Sequence, residues 1–334
     1  MLYFVQQFPQ ASVERYAHLW AFCFIGGVVM AKEKPFLTLD QQIELLKKRK
    51  LNIPDNQTEE VKKFLLNNNY YKISGYTLTL RKNDEFYPNA SFDNIKQIYE
   101  FDKRLRHSIL SLTEEIEVRV KSMLAYYHSE KYGPMGYQDV NTFHCAEGNR
   151  VNAEAISDFL AIQKKAIQQQ NRMSETELFL KHFKEKHDGQ LPIWAYVEVL
   201  TISDVSKMYG ILDEDIQKNI AKEFGYCHNT GNELLAQLLH NVTIVRNICA
   251  HGGRLYNRNF IRKPKLSRAQ KKLLRVDDGK KVYDRLFSYI LVIKALSLSQ
   301  DFGLLKEHLL ELTSKYPFVD MKYYGFPENW KEIL

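Results

Sequence analysis

Residues 246–251, with the sequence RNICAH, combine a fixed positive charge with a group that exchanges protons near neutral pH. The Arg246 guanidinium suits the geometry of phosphate oxygens, and the His251 imidazole can both accept and donate a proton. The following residues, GGRLYNR, add two more arginines. An arginine and a histidine five positions apart also occur by chance, so the extended string carries the interpretation. These residue types indicate a site that handles phosphate groups.

The segment that leads into this motif has the spacing of a buried helix. Its apolar residues recur at steps of three and four: Leu234, Leu235, Leu238, Leu239, Val242, Val245 and Cys249. Such a stripe predicts a helix that packs inward along one face. Gly252 and Gly253 predict that the helix ends at Ala250 or His251 with a glycine C-cap. His251 would then lie where the helix dipole favours a positive charge.

The positions within this helix suggest separate roles. Asn247 lies four residues before His251 on the same face, so its amide could hydrogen-bond the imidazole and fix the tautomer. Arg246 and His251 are about 140° apart around the helix axis. One helix therefore does not easily direct both side chains at one small target, whereas two copies related by a two-fold axis could do so.

The chain resembles the Abi-like (AbiD/AbiF) abortive-infection proteins of bacteria. The resemblance rests on the motif and on NYYKISGY at 69–76, IYEFDKRLR at 98–106, EIEVR at 115–119, and PIW at 192–194 with Val197 and Glu198; it covers roughly residues 35–330. It implies a HEPN domain with an Arg-Asn-x-x-x-His motif, here Arg246, Asn247 and His251 as the catalytic residues. It also implies a metal-independent ribonuclease that acts as a dimer and is related to the nuclease halves of RNA-guided type VI CRISPR effectors.

The pattern of the whole chain is helical. With 334 residues and 45% hydrophobic content, the protein can bury a substantial core in one elaborated domain or two closely packed ones. Helices are predicted at 40–50, 58–68, 91–131, 150–187, 192–212, 214–224, 282–299 and 301–314, and no strands of convincing length are expected. The pattern predicts an all-α helical bundle, and the resemblance implies that this bundle is of the HEPN type. Its expected parts are an N-terminal helical module at 30–90, a helical domain at 91–315 and a C-terminal tail at 316–334.

Residues 1–29 contain an apolar run at 17–29 that is too short to span a bilayer. A mis-called start upstream of Met30, or a disordered extension, is favoured over a secretory signal or a membrane-associated segment. Four scattered cysteines argue against disulfides and a zinc site and fit a reducing cytoplasm. The sequence therefore predicts a cytoplasmic protein with no metal, no cofactor and no membrane partner.

Residues 254–281, called the basic strip below, hold eleven lysines and arginines against two aspartates, a local charge of +9 in a chain of +7. A strip directly after the motif could hold a sugar-phosphate backbone, and Tyr256 and Phe260 could stack on unpaired bases. The alternative is a solvated loop that keeps the protein soluble. The candidate RNA-binding residues are Arg254, Tyr256, Arg258, Arg262, Lys263, Lys265, Arg268, Lys271 and Lys272.

The long predicted helix at 91–131 carries charged residues whose simplest interpretation is a solvated face: Asp102, Arg104, Glu115, Glu117 and Arg119. Glu117 or Arg119 could instead support the active site or a dimer contact. Five aromatic residues are expected to pack rather than to bind RNA, with the last two as core anchors: Tyr70, Tyr71, Tyr76, Trp194 and Tyr196.

Two classes of function remain open on these residues. In the first, the protein is an endoribonuclease toxin of an anti-phage defence or toxin–antitoxin system, with His251 as general base or acid and Arg246 stabilising the developing phosphorane charge. In the second, the domain binds RNA or a partner without cleavage. The expected partners are an RNA substrate, a second copy of the chain, and an antitoxin that is a small structured RNA or a protein.

Overall fold

The computed structural model describes residues 35–144, 146–147 and 150–334, so the predictions for residues 1–29 fall outside it. The helices of the described residues are α1 Leu39–Lys48, α2 Thr58–Asn68, α3 Tyr70–Ser74, α4 Phe92–Tyr132, α5 Ala153–Met173, α6 Leu178–Lys186, α7 Ile193–Tyr196, α8 Ile202–Ile211, α9 Glu214–Glu223, α10 Gly231–Ala250, α11 Arg268–Lys272, α12 Leu286–Leu296, α13 Ser299–Lys315 and α14 Trp330–Ile333. Three hairpins of two-residue strands join β1 Arg81–Lys82 to β2 Glu85–Phe86, β3 Ala146–Glu147 to β4 Arg150–Val151, and β5 Val276–Asp277 to β6 Lys280–Lys281. The predicted all-α class is confirmed.

Helix α4 is the central element of the bundle and is 41 residues long. Ser91 begins it with a capping box, in which its hydroxyl accepts from the Asn94 backbone N–H while the Asn94 side chain accepts from the Ser91 backbone N–H. Gly133, at φ +74°, ends it in a conformation that favours glycine. The helix packs against α8, α9, α10 and α13. The helix predicted at 91–131 is therefore confirmed, and it spans the whole bundle.

Helix α10 carries the motif and packs between α4 and α8. Its predicted stripe is buried apart from Leu234, which is half-buried; Leu235 and Val245 are fully inaccessible and Val242 nearly so. The predicted glycine C-cap is also present, because Gly252 has φ +63° and the Gly253 N–H donates to the Ile248 carbonyl at 2.7 Å. The last turn of α10 is thus held in one conformation.

Two predicted helices are broken in the structure. The segment at 150–187 divides into α5 and α6, and a turn separates them. The segment at 192–212 divides where Leu200 becomes extended and Thr201 starts α8 with a capping box to Asp204. Thr201 is an ordinary polar position in the periodic pattern, but its hydroxyl competes for backbone N–H groups and so favours a helix start.

The hydrophobic core is one continuous cluster that crosses the predicted boundary near residue 90. Tyr76 from the N-terminal module is completely buried in it. So is the segment expected to be a C-terminal tail, where Tyr324 and Phe326 are almost inaccessible and Trp330 is 5% exposed. Across the described ranges, no helix combines the length and the apolar character that a membrane span requires.

Candidate functional site

Arg246 extends from α10 toward helix α4, where Glu117 lies. The Arg246 Nη2 and Glu117 Oε2 atoms are 3.7 Å apart, and Glu117 also pairs with Lys121 at 3.1 Å. The Arg246 side chain is 34% exposed and that of Glu117 is 12% exposed. A single contact of this length orients the guanidinium but leaves other N–H groups able to meet an anion.

Asn247 uses its side chain differently from the prediction. Its Nδ2 donates to the Ser203 hydroxyl on α8 at 3.2 Å, and its Oδ1 accepts from Arg246 Nη1 at 3.4 Å. Of the hydrogen bonds within the described ranges, none joins Asn247 to the His251 ring. Because Ser203 and Arg246 occupy the amide, Asn247 ties α10 to α8 and steadies the guanidinium rather than the imidazole.

His251 is the C-cap residue of α10 and is exposed. Its backbone N–H donates to the Asn247 carbonyl at 3.1 Å, whereas its ring makes no hydrogen bond to the described part of the protein. A cavity of about 590 Å³ lies between the end of α6 and Trp194 and does not include the motif. The His251 side chain is exposed and that of Arg246 is partly exposed, so solvent reaches both.

Arg119 does not lie beside Arg246, although it is only two residues from Glu117. Its Nη1 donates to the Leu296 carbonyl at 2.8 Å, and its guanidinium lies 4.5 Å from the centre of the Phe224 ring. Residues two positions apart point to different sides of a helix. Arg119 therefore links α4 to the ends of α9 and α12, and Glu117 alone of this predicted pair contacts the motif.

The loop after the motif is held by Asp102, which is completely buried. Asp102 accepts backbone N–H groups from Leu255, at 3.2 Å, and from Tyr256, at 2.7 Å. It also accepts the hydroxyl groups of Tyr76, at 2.7 Å, and Tyr324, at 3.0 Å. The interpretation of this position as part of a solvated face is therefore wrong.

Arg106 completes this arrangement, called the Asp102 network below, through an ion pair with Asp102 one helical turn away. Burial opposes the positive charge of Arg106, but the adjacent Asp102 carboxylate keeps its pKa raised. Burial, followed by the charge of Asp102, raises the pKa of Tyr76 and of Tyr324 far above the usual range. Both phenols therefore remain protonated donors at physiological pH.

The basic strip divides into an inner and an outer part. Arg254 is half-buried; its Nη1 donates to the Tyr256 carbonyl, and its Nε lies 3.2 Å from where a Cβ on Gly75 would be. Arg258 is also half-buried and donates to the Arg254 carbonyl at 3.3 Å. The outer side chains are exposed and make no ion pair with any described residue: Arg262, Lys263, Lys265, Arg268, Lys271 and Lys272.

The aromatic side chains of the strip are not available to bases. Tyr256 is 2% exposed, shares a hydrogen bond of 2.9 Å with Thr79, and packs against Tyr324. Phe260 is 4% exposed and lies against Tyr289. The expectation that Tyr256 and Phe260 stack on RNA is wrong in this fold, because both rings belong to the core.

Two aromatic residues differ from the expectation in the opposite direction. Tyr71 is 82% exposed, whereas Tyr76 is buried as predicted and Tyr70 packs partly against the core. Trp194 is 55% exposed rather than a core anchor. Each exposed ring belongs to the second residue of a short helix, directly after a residue that packs toward the core.

The sulfur and carboxylate groups do not assemble a metal site in the region that the structure covers, since no three candidate ligands cluster there. Cys249 is buried in α10, and burial raises the pKa of its thiol to about 12. Cys227 is exposed and unpaired. A buried thiol of this kind is an inert packing residue.

A protein-family model described as Abi-like protein matches residues 63–257, which is more than half of the chain. The match runs from α2 through α4 and α10 to the loop that Asp102 holds. It therefore includes the motif and the contacts that position it. No curated protein and no solved structure was found to match the chain.

Proposed function

The chain belongs to the Abi-like protein family, and from this premise we propose that it is a metal-independent endoribonuclease that serves abortive-infection defence or a toxin–antitoxin system. The family itself points to abortive infection. The ribonuclease activity, and a HEPN domain of the AbiD/AbiF kind, come from the resemblance of the Arg246, Asn247 and His251 motif.

One observation carries the proposal. The end of α10 presents an oriented but accessible guanidinium and an exposed imidazole. The six exposed side chains of the outer part of the basic strip add cations that have no acidic partner among the described residues. Charged groups of this kind bind the phosphates of RNA and position its backbone. The residue types at the helix end then suit general acid–base chemistry at a phosphodiester.

The proposed reaction needs no group beyond RNA and the protein. His251 takes the proton of a ribose 2′-hydroxyl, and the 2′-oxygen forms a bond to the adjacent phosphorus. The bond from phosphorus to the 5′-oxygen breaks, and the His251 imidazolium returns its proton to that oxygen, so the imidazole is neutral again. Arg246 donates hydrogen bonds to the phosphoryl oxygens while negative charge builds on them. The products are a 2′,3′-cyclic phosphate and a 5′-hydroxyl.

A homodimer is part of the proposal. Arg246 points toward α4, whereas His251 caps the end of α10, so the two side chains of one copy diverge. A two-fold axis near the motif would bring Arg246 of one copy toward His251 of the other. A toxic nuclease also requires restraint, and the exposed basic strip suits a small structured RNA as antitoxin, with a protein antitoxin as the alternative.

The test uses the purified full chain with a labelled single-stranded RNA, together with Arg246→Ala and His251→Ala variants. We expect cleavage that leaves a 2′,3′-cyclic phosphate, persists in EDTA, and disappears in both variants. Expression of the wild type should slow bacterial growth, and the same variants should relieve it. RNA binding without cleavage by a folded wild-type protein would favour the non-catalytic alternative, and cleavage restored only by magnesium would reject the mechanism.

A further inference from the structure

We infer that Lys72, in the N-terminal module, is an additional substrate-binding residue of the motif site, which Arg246, Asn247 and His251 form. Its ammonium group would contact the RNA phosphate that neighbours the cleaved one. This inference rests on RNA being the substrate, as proposed above. Lys72 belongs to α3, about 180 positions before the motif, and the sequence alone does not connect the two.

The position of Lys72 follows from how α3 docks on the motif loop. Tyr76 anchors the end of this segment by donating to Asp102. Gly75 lies against Arg254 at a distance that leaves little room for any side chain. As a result, the Lys72 Nζ lies 3.3 Å from where a Cβ on Gly252 would be. Gly252 follows His251 directly, and adjacent Cα atoms are about 3.8 Å apart.

The charge of Lys72 is only partly balanced by its surroundings, since its Nζ lies 6.0 Å from the centre of the Tyr99 ring. Over the described ranges, Lys72 forms no ion pair and no side-chain hydrogen bond. Asp102 is a nearby carboxylate, but its oxygens already accept from Arg106, two phenols and two backbone N–H groups. Burial, and then repulsion from Arg106, lower the pKa of Lys72. An anion bound at this point would offset that repulsion by attracting both cations.

A phosphate fits this position better than a carboxylate side chain. Lysine binds phosphate as a point charge and does not need the paired geometry that arginine uses. The backbone of a bound RNA places further phosphates beside the one that His251 acts on. Lys72 and the basic strip belong to different elements that meet at the loop after the motif. Together they would hold the RNA on both sides of the cleaved bond.

The structural alternative is that Lys72 only neutralises the carbonyl end of the α10 dipole. The two roles separate in Lys72→Gln and Lys72→Arg variants, compared with Lys63→Gln as a matched control. Lys63 is an exposed lysine on α2 of the same module and has no ion-pair partner in the part of the chain that the structure covers. Binding is measured by fluorescence anisotropy with a single-stranded RNA in the His251→Ala background, so that it does not depend on cleavage.

We expect Lys72→Gln to weaken RNA binding about 10-fold at low salt, since a charge-assisted hydrogen bond is removed. It should also reduce the slope of log affinity against log salt by about 0.7. Lys72→Arg should retain most of the affinity, and Lys63→Gln should resemble the parent. In the wild-type background, Lys72→Gln should raise KM more than it lowers kcat.

Equal affinity and salt slope in Lys72→Gln and Lys63→Gln would overturn the inference. The inference would also be overturned if Lys72→Gln and Lys72→Arg lost affinity equally and both had a lower melting temperature. That result would indicate the structural role. If the wild type binds RNA without cleaving it, the proposed nuclease activity is rejected. The contact between Lys72 and RNA is still tested by the affinities of the variants. A wild-type chain that binds no RNA would overturn both proposals.

Discussion

The Asp102 network binds one end of residues 246–256, and the motif site occupies the other end. The two regions are nevertheless built in contrasting ways. In the network, five donors converge on one inaccessible carboxylate. At the motif, Arg246 keeps one loose contact with Glu117, and the ring of His251 is exposed. Helix α4 contributes to both, through Asp102 and through Glu117, about four turns apart.

The contrast separates positioning from chemistry. A reactive group must be able to change its partners, and Arg246 and His251, the proposed reactive groups, have few partners to lose. The path of the backbone that holds them must not change, and the saturated network provides that constraint. The first region should therefore govern stability, and the second should govern activity with little effect on stability.

The largest expected effect comes from His251→Ala. We expect the single-turnover rate of RNA cleavage to fall about 10²- to 10⁴-fold, which is the usual range for a general acid or base. The free energy of unfolding in urea should not change, because the exposed ring makes no interaction that holds the fold. A large decrease in stability in this variant would remove the distinction between the two regions.

Asp102→Ala should instead cause a large loss of stability. Removing one partner of a buried ion pair destabilises proteins by about 3–5 kcal/mol, since Arg106 would remain charged and unpaired. Urea unfolding measures this, with Asp55→Ala as the control because the Asp55 side chain is 98% exposed. If Asp102→Ala is as stable as the control, the network does not anchor the loop.

Tyr324→Phe tests one arm of the network. The variant keeps the buried ring and removes a hydroxyl that donates to a charged acceptor, so we expect the unfolding free energy to decrease by about 1.5–3 kcal/mol. Tyr323→Phe is the matched control, because Tyr323 packs against Tyr256 but does not reach Asp102. Equal stability of the two variants would indicate that Asp102 is satisfied without Tyr324.

The smallest overall effect should come from the basic strip. Replacing Lys263, Lys265, Arg268, Lys271 and Lys272 with glutamine should leave unfolding unchanged. RNA binding should weaken, and its salt slope should fall by about 0.7 for each phosphate that is no longer neutralised. Cleavage should recover at saturating RNA, which distinguishes this variant from His251→Ala. The control variant replaces Lys48, Lys63 and Lys164 with glutamine. If the strip variant binds RNA as tightly as this control, the basic strip serves only to keep the protein soluble.

The motif helix is predictable because its determinants are local. The stripe from Leu235 to Cys249 and the glycines after His251 specify a buried helix and its end without reference to the rest of the fold. Helix α4 is predictable for the same reason. The turn between α5 and α6 is not, because the periodic pattern continues across it.

The Asp102 network is not predictable because its members are far apart in sequence. An aspartate with an arginine four positions later has the spacing of an ordinary surface pair. Only the docking of Tyr76, Leu255 and Tyr324 makes Asp102 an interior acceptor. The prediction for Tyr256 is wrong for the same reason, since a tyrosine among arginines resembles a stacking residue until its neighbours are known.

The separation of these donors also has a consequence for synthesis on the ribosome. Tyr76 and Asp102 are made early, but the motif loop follows some 150 positions later and Tyr324 is 222 positions after Asp102. The loop therefore gains its last anchor only after Tyr324 has emerged. A growing chain that already displays Arg246 and His251 would still lack a fixed arrangement around them. This order of events would delay completion of the site around Arg246 and His251, and of the proposed cleavage there, until Tyr324 has been made.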